Sequence, residues 1–182
     1  MNLSKKLALI GLIQLGAVTA VLFAFYYREA RAKIEQQYVE KARSIVLTAE
    51  SAREEMGRKW DLGLFGRPQL REWADAGEID KILAAVPVVT AWNAAMMKAE
   101  EGGYEFRVPK FHPRNPKNEP DALEADVLRM LETGDVAEHY VIDRSMNAIR
   151  YFRPIKLTAE CLNCHGDPAN SGVYWGNDQG LD

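Results

Sequence analysis

The sequence contains two cysteines, Cys161 and Cys164, and a histidine, His165, follows the second one directly. Two thiols three positions apart can add to the two vinyl groups on one edge of a porphyrin. The adjacent imidazole can then ligate the iron below the ring. This pentapeptide is typical of c-type haem attachment. It predicts one covalent haem c, with two thioether bonds and His165 as the proximal iron ligand.

Three other chemistries use the same residue types. A thioredoxin-like redox pair fits best beside a βαβ pattern, and the sequence near the motif has none. A zinc site would need a fourth ligand from elsewhere in the chain, such as His139 or His112. A disulfide across two intervening residues would close a loop too small to restrain much of the unfolded chain. Haem attachment is therefore the preferred interpretation.

The composition is that of a globular domain with an appendage. Of the 182 residues, 47% are apolar and 27% are charged, and the net charge is −3, so disorder is not expected. An acidic chain lacks the basic field that tracks phosphates, which argues against a nucleic-acid partner. No catalytic set of a hydrolase and no phosphate-binding loop occurs in the sequence. We therefore do not expect an enzyme.

Residues 7–27 form an apolar segment without a single charge. A helix of this length spans about 30 Å, the thickness of a bilayer core. Tyr26 and Tyr27 stand where an interfacial aromatic belt would lie. A signal peptide cleaved after Ala30-Arg31-Ala32 is the alternative, but its apolar part would be shorter. We therefore expect an uncleaved anchor.

The orientation of this anchor follows from the haem motif. Basic residues flank the apolar segment on both sides, so the positive-inside rule is indecisive. Haem c is attached outside the cytoplasm in bacteria. The expected organisation is a cytoplasmic tip at 1–6, a single-pass inner-membrane anchor at 7–27 and a periplasmic haem domain at 28–182.

Beyond the anchor, a helical pattern runs without glycine or proline as far as Gly57. Apolar or small residues recur every three or four positions, at Ile34, Tyr38, Ala42, Ile45, Ala49, Ala52, Met56 and Trp60. Such a stripe predicts a helix that continues out of the membrane and packs either on its own domain or on a second copy. We expect a homodimer.

The rest of the chain predicts a mixed domain. Helical composition favours short helices at 69–76, 79–86 and 88–101, the last preceded by Pro87. Alternating apolar residues predict a strand at 104–108. Two more strands are predicted at 139–143 and 149–155, joined by the polar turn at 144–147. Asp121, with Glu124 three residues on, predicts a capped helix to Glu132. These elements predict the α+β class with an antiparallel sheet.

Five segments in combination resemble a known family. They are 87–92 (PVVTAW), 104–109 (YEFRVP), 114–121 (RNPKNEPD), 151–155 (YFRPI) and 161–168 (CLNCHGDP). The chain resembles, over residues 30–182, the Tll0287-like family (DUF3365), whose members carry one haem c in a PAS-like fold. Similar domains form the periplasmic sensors of some methyl-accepting chemotaxis proteins and sensor kinases.

This resemblance implies a haem that senses redox state or a diatomic gas, or that passes electrons. It matches Cys161 and Cys164 to the thioether positions and His165 to the proximal ligand. The chain departs from the family in having no HAMP, methyl-accepting or kinase segment, and it stops where relatives continue into further strands. We expect either a fragment of a longer receptor or a fold truncated at its C-terminus.

The other axial position of the iron stays open at this stage. Relatives carry methionine, cysteine or water there, from the helical region after the anchor. Met56 is the preferred ligand, although a methionine that fills a gap in the core gives the same pattern. His139, His112 and water are the alternatives.

The haem propionates need cationic partners. Arg153, between Phe152 and Pro154 just ahead of the motif, is the preferred one. The other candidates are Arg107, Lys110, Arg114 and Arg150.

Two functions remain open. The preferred one is a membrane-anchored haem c domain that senses redox state or a diatomic gas and signals through its N-terminal helix. The alternative is an electron-transfer cytochrome without a sensory role.

Overall fold

The computed structural model describes residues 2–113 and 115–156. The helices are α1 Leu3–Asp61, α2 Arg67–Asp75, α3 Ile79–Ala85, α4 Pro87–Met96, α5 Ala99–Gly102 and α6 Ala122–Glu132, with a 3-10 helix at Pro116–Asn118. The strands β1 His139–Asp143 and β2 Ala148–Phe152 follow. The described part is thus mostly helical with a small antiparallel sheet, and the predicted α+β class is confirmed.

Helix α1 is unbroken over 59 residues, which corresponds to about 88 Å. Its N-terminal part contains an 18-residue window of mean hydropathy 2.3, none of which is buried. By length and composition this part can cross a membrane, and a signal sequence would pass the same test. The helix ends at Leu62, and Gly63 follows with a φ of +73°, a left-handed conformation that glycine adopts without strain. The predicted continuation of the apolar segment into a long helix is confirmed.

The C-terminal half of α1 packs on α4 through small side chains. Ala49, Ala91 and Ala95 are buried together, and Phe106 covers them. Alanines let two helix backbones approach closely, because no longer side chain separates them. Farther along, the indole Nε1 of Trp60 donates a hydrogen bond of 2.8 Å to the carbonyl of Ala85. These contacts hold the short helices against α1.

Helix α6 begins as the sequence predicts. The backbone N–H of Glu124 donates to the Asp121 carboxylate at 2.8 Å, and the N–H of Asp121 donates to Glu124 at 2.9 Å. This capping box satisfies two N–H groups that have no partner within the helix. The apolar face of α6 buries Val127 and Leu131.

The two strands form an antiparallel hairpin in which His139 pairs with Phe152 and Asp143 pairs with Ala148. The carboxylate of Asp143 accepts hydrogen bonds from the backbone N–H groups of Ser145 and Met146 and so fixes the turn. Strand β1 has the predicted bounds. Strand β2 starts one residue earlier than predicted and ends at Phe152, just ahead of Pro154, whose backbone has no N–H to donate.

Two predictions from the sequence are wrong for residues 88–108, which precede α6 and the hairpin. Residues 104–108 form neither a strand nor a helix. The alternation reflects burial instead: Tyr104, Phe106 and Val108 are half-buried, and the residues between them are exposed. The predicted helix 88–101 is divided into α4 and α5. At the break, the Tyr104 hydroxyl donates a 2.6 Å hydrogen bond to the Ala95 carbonyl.

Candidate functional site

A large cleft lies between α1, the segment 103–111, α6 and the hairpin. Its volume is about 2230 Å³, larger than the roughly 300–1,000 Å³ of ordinary small-molecule sites. Ile45 and Val46 of α1, Phe106 and Leu128 contribute apolar walls, and several arginines contribute charge. An apolar cleft with cationic groups suits a flat apolar ring that carries carboxylates.

The covalent chain connects this cleft to the cysteine motif. Lys156 lines the cleft, and Cys161 follows five residues later in the sequence. Five residues reach at most about 18 Å between Cα atoms. Cys161, Cys164 and His165 themselves lie outside the described residues. The size, lining and position of the cleft therefore fit a haem attached at these cysteines.

Arg153, the predicted propionate partner, lines the cleft but is bound to two carboxylates. Its Nε lies 3.0 Å from Oε2 of Glu50 on α1, and its Nη1 lies 3.3 Å from Oε2 of Glu138. The same Glu138 oxygen accepts hydrogen bonds from the Tyr151 hydroxyl at 2.6 Å and from Nε of Arg43 on α1 at 3.2 Å. We call these five residues the Glu138 cluster. They tie the hairpin to α1 at two points.

The cluster favours ionised Glu138. The hydrogen bond from Tyr151, followed by the charges of Arg43 and Arg153, holds the pKa of Glu138 below its usual value against an opposing effect of desolvation. Burial and the hydrogen bond to Glu138 both raise the pKa of Tyr151. The cluster therefore contains an ionised carboxylate and a neutral phenol near neutral pH.

A second ionic cluster lies where α6 meets the hairpin. Arg150 places its guanidinium 2.7 Å from Asp121 and 2.8 Å from Glu124, and Arg107 approaches Glu124 at 3.2 Å. The Glu124 side chain is only 4% exposed. Burial opposes ionisation of Asp121, but its hydrogen bond from Glu124 and the charge of Arg150 hold its pKa below the usual value. Arg107 and Arg150 are therefore already paired with carboxylates of the chain itself, the buried Glu124 and, for Arg150, also the capping residue Asp121. A residue that binds a ligand carboxylate would not be expected to have such partners.

Sequence reasoning missed a further cleft residue, Arg53 of α1. Its side chain is half-buried and lines the cleft. It is one helical turn from Ala49 and one turn from Gly57, which also line the cleft. The sequence contained a signal for this residue. Arg53 lies four positions after Ala49 and four before Gly57, so its charged side chain is on the same face of the helix as these two small residues.

The three residues predicted as candidates for the second axial ligand of the iron, Met56, His139 and His112, do not line the cleft in the described part of the chain. Met56 is buried, at 9% exposed, on the stripe of α1 that contains Ala49 and Trp60. His139 is half-buried at the start of β1, and His112 is exposed with a φ of +54°. Met146 in the hairpin turn does line the cleft and is 61% exposed. The ligation by Met56 stays a prediction. Among residues 2–113 and 115–156 there is no group of three or more His, Cys, Asp or Glu residues placed to hold a metal ion.

Arg114 lies outside the described residues, and Lys110 lines the cleft. A family model described as Tll0287-like matches residues 31–182 of the chain. No curated protein and no solved structure matches the chain. The matched region includes the cysteine motif, both ionic clusters and all of the cleft lining except Tyr27 and Ala30.

Proposed function

Because the chain belongs to the Tll0287-like family, which indicates a haem-binding domain, we propose that it is a membrane-anchored haem c sensor. Cys161 and Cys164 attach the haem, His165 ligates the iron, and the cleft receives the ring. The bound haem supplies an iron that changes oxidation state or takes a diatomic gas such as NO or CO. The protein converts that change into a movement of α1.

The continuity of α1 is the observation that supports this proposal. One helix contains the apolar segment and also forms a wall of the cleft from Tyr27 to Asp61. Arg153, eight residues before Cys161, is paired with Glu50 on that helix. A change of charge or position at the cleft therefore acts on α1, a single continuous helix that leads toward the membrane.

The proposed arrangement places residues 1–6 in the cytoplasm, 7–27 in the inner membrane and the remainder in the periplasm. We also propose a homodimer that forms through the part of α1 near the membrane. Ala49 and Met56 are buried within the chain's own domain, whereas Ile34 and Tyr38 are 53% and 57% exposed. Exposed apolar residues at helical spacing support pairing with a second copy.

The first part of the test concerns the haem. The full chain, expressed with a haem c maturation system, should give a pyridine haemochrome spectrum with thioether-bound haem in a 1:1 ratio to protein. Cys161→Ser together with Cys164→Ser should lose the covalent haem. A wild-type chain without covalent haem would overturn the proposal.

The second part concerns signalling. Spin labels at Gln36 on α1 and Ala122 at the start of α6, both exposed positions, report the distance between the helix and the domain in nanodiscs. Sensing predicts that this distance differs between oxidised, reduced and NO-bound or CO-bound protein. Identical distances in all states would reject it. Fast electron exchange with a soluble redox protein would then favour the electron-transfer alternative.

A further inference from the structure

We infer that Arg53 binds a propionate carboxylate of the haem and so fixes the ring in the cleft. The inference rests on the proposed haem site. It assigns the carboxylate-binding role to a residue of α1 rather than to Arg153, which the sequence favours.

Arg53 differs in its surroundings from Arg107, Arg150 and Arg153, and it differs from the exposed Arg144 in being half-buried. Arg107, Arg150 and Arg153 each contact one or more carboxylates. Within residues 2–113 and 115–156, the guanidinium of Arg53 has no hydrogen bond, ion pair or ring contact, although the residue is half-buried. Arginine is rarely buried without a partner, because partial desolvation of its charge is unfavourable unless hydrogen bonds replace the water. The guanidinium of Arg53 is therefore available to bind an anionic group.

The neighbours of Arg53 leave room for such an anion. Ala49 and Gly57 lie one turn away on either side of it on the same face of α1. A Cβ added at Gly57 would meet nothing within 4 Å. The helix surface is therefore open on the Gly57 side of the guanidinium, whereas Ala49 is buried against α4, so a planar carboxylate can approach from the Gly57 side with two parallel hydrogen bonds.

The carboxylate is assigned to the haem for two reasons. A covalently attached haem carries two propionates into the cleft in every molecule, and the propionates are the charged edge of an otherwise apolar ring. An arginine is also suited to this task because its charge does not titrate in the physiological range. The rival occupants are carboxylates of the chain beyond residue 156, for example Glu160 and Asp167, and the experiment distinguishes them from the propionate.

The test uses the full chain with its haem and compares Arg53→Gln and Arg53→Lys with the wild type. Arg129→Gln is the matched control, because it removes the same guanidinium from a helix beside the cleft, but Arg129 does not line the cleft and is paired with Asp126 at 2.9 Å. Covalent haem is measured first, then the midpoint potential and the resonance Raman band of propionate bending. Loss of a cation beside a propionate favours the oxidised iron, so Arg53→Gln should lower the midpoint potential and shift the propionate band.

Arg53→Lys should lower the potential less, because it retains a charge but not the planar fork. It also keeps the helix propensity at this position and so tests the inference if Arg53→Gln does not fold. Arg129→Gln should match the wild type. Haem present with an unchanged potential and band in both Arg53 variants overturns the inference alone. The same Raman shift in Glu160→Gln or Asp167→Asn, with none in Arg53→Gln, also overturns it. Wild type and Arg129→Gln without covalent haem overturn the proposed function.

Discussion

Arg153 places its Nε 3.0 Å from Oε2 of Glu50, and this contact joins the end of the hairpin to the middle of α1. Both side chains are about one quarter exposed, at 28% and 27%. Arg153 comes just after β2 and eight residues before Cys161. Glu50 belongs to the helix that also contains the apolar segment. The contact therefore links the end of the chain that precedes the cysteine motif to the helix that contains the apolar segment.

Glu50→Gln should loosen the hairpin on α1. The variant keeps the size of the side chain but removes the charge that pairs with Arg153, and a half-buried charged hydrogen bond contributes about 1 kcal/mol. We expect the opening free energy of the amides in residues 148–156 to fall by about that amount. Native-state hydrogen exchange followed by mass spectrometry measures it.

Glu54→Gln is the matched control for this change. Glu54 lies one turn farther along α1 and also lines the cleft, but it is exposed. The exchange of residues 148–156 should be unchanged in this variant. Equal exchange in Glu50→Gln and wild type would show that the ion pair does not hold the hairpin.

Low pH should also loosen the attachment of the hairpin to α1, because it protonates Glu138, which contacts Arg43 of α1 and Arg153. Its pKa is lowered in the folded protein, so its ionised form stabilises the fold. That contribution is fully present above the unfolded-state pKa, about 4.3, and is lost as pH falls through the lower folded-state value. The protection of the hairpin amides, measured against the intrinsic exchange rate at each pH, should therefore fall below about pH 4 in the wild type. Glu138→Gln should be less stable at neutral pH and lose less on acidification. A parallel pH profile in the two proteins would contradict this assignment.

The regular elements were predictable because their signals are local. The capping box at Asp121 and Glu124 needs only two residues three positions apart, and it is formed as predicted. Strand β1 likewise has the predicted bounds, since Tyr140, Val141 and Ile142 are strong strand formers and a polar turn follows them. The apolar segment and its helical continuation depend on composition and spacing alone.

Features that depend on distant partners were not predictable in the same way. The alternation at 104–108 correctly marks one buried face, but a strand also needs a neighbouring strand, and the side chains of Tyr104 and Phe106 contact helix α4 and the alanine core instead. Arg153 stands near the cysteine motif in sequence, yet its carboxylate partners come from α1 and from residue 138. Sequence distance cannot show that Arg153 is already paired and that Arg53 is not.

The buried carboxylate Glu124 makes Arg150 important for stability. The Glu124 side chain is 4% exposed and contacts both Arg150 and Arg107. Arg150→Met leaves this charge with one partner, and breaking a buried ion pair is strongly destabilising. We expect the free energy of unfolding to fall by about 2–4 kcal/mol, measured by urea denaturation of the haem-loaded protein in detergent. Arg129→Gln, which removes an exposed pair on the same helix, should cost less than about 1 kcal/mol. Equal losses in the two variants would refute this role of burial.

If the chain carries the proposed haem with His165 as one iron ligand, two methionine variants would identify the second ligand. Met56 is the residue that the sequence favours, but it is buried on the stripe of α1 that packs within the domain, whereas Met146 is exposed on the cleft. If Met56 is the ligand, the ferric protein shows the weak charge-transfer band of Met–Fe(III) coordination at the red end of the visible spectrum. That band then disappears in Met56→Ala and survives in Met146→Ala. Loss of the band in Met146→Ala alone assigns the ligand to the hairpin turn.

A folding control separates ligation from packing. Removing a buried methionine by Met56→Ala should destabilise the domain by about 2–5 kcal/mol whether or not it ligates iron, whereas Met146→Ala should leave stability nearly unchanged because the side chain is exposed. Met56→Leu fills the same volume without a sulfur ligand. The band must therefore also vanish in Met56→Leu, with little loss of stability, for Met56 to be the ligand. Absence of the band from the wild-type ferric protein rejects both methionines and favours water or a histidine at that position.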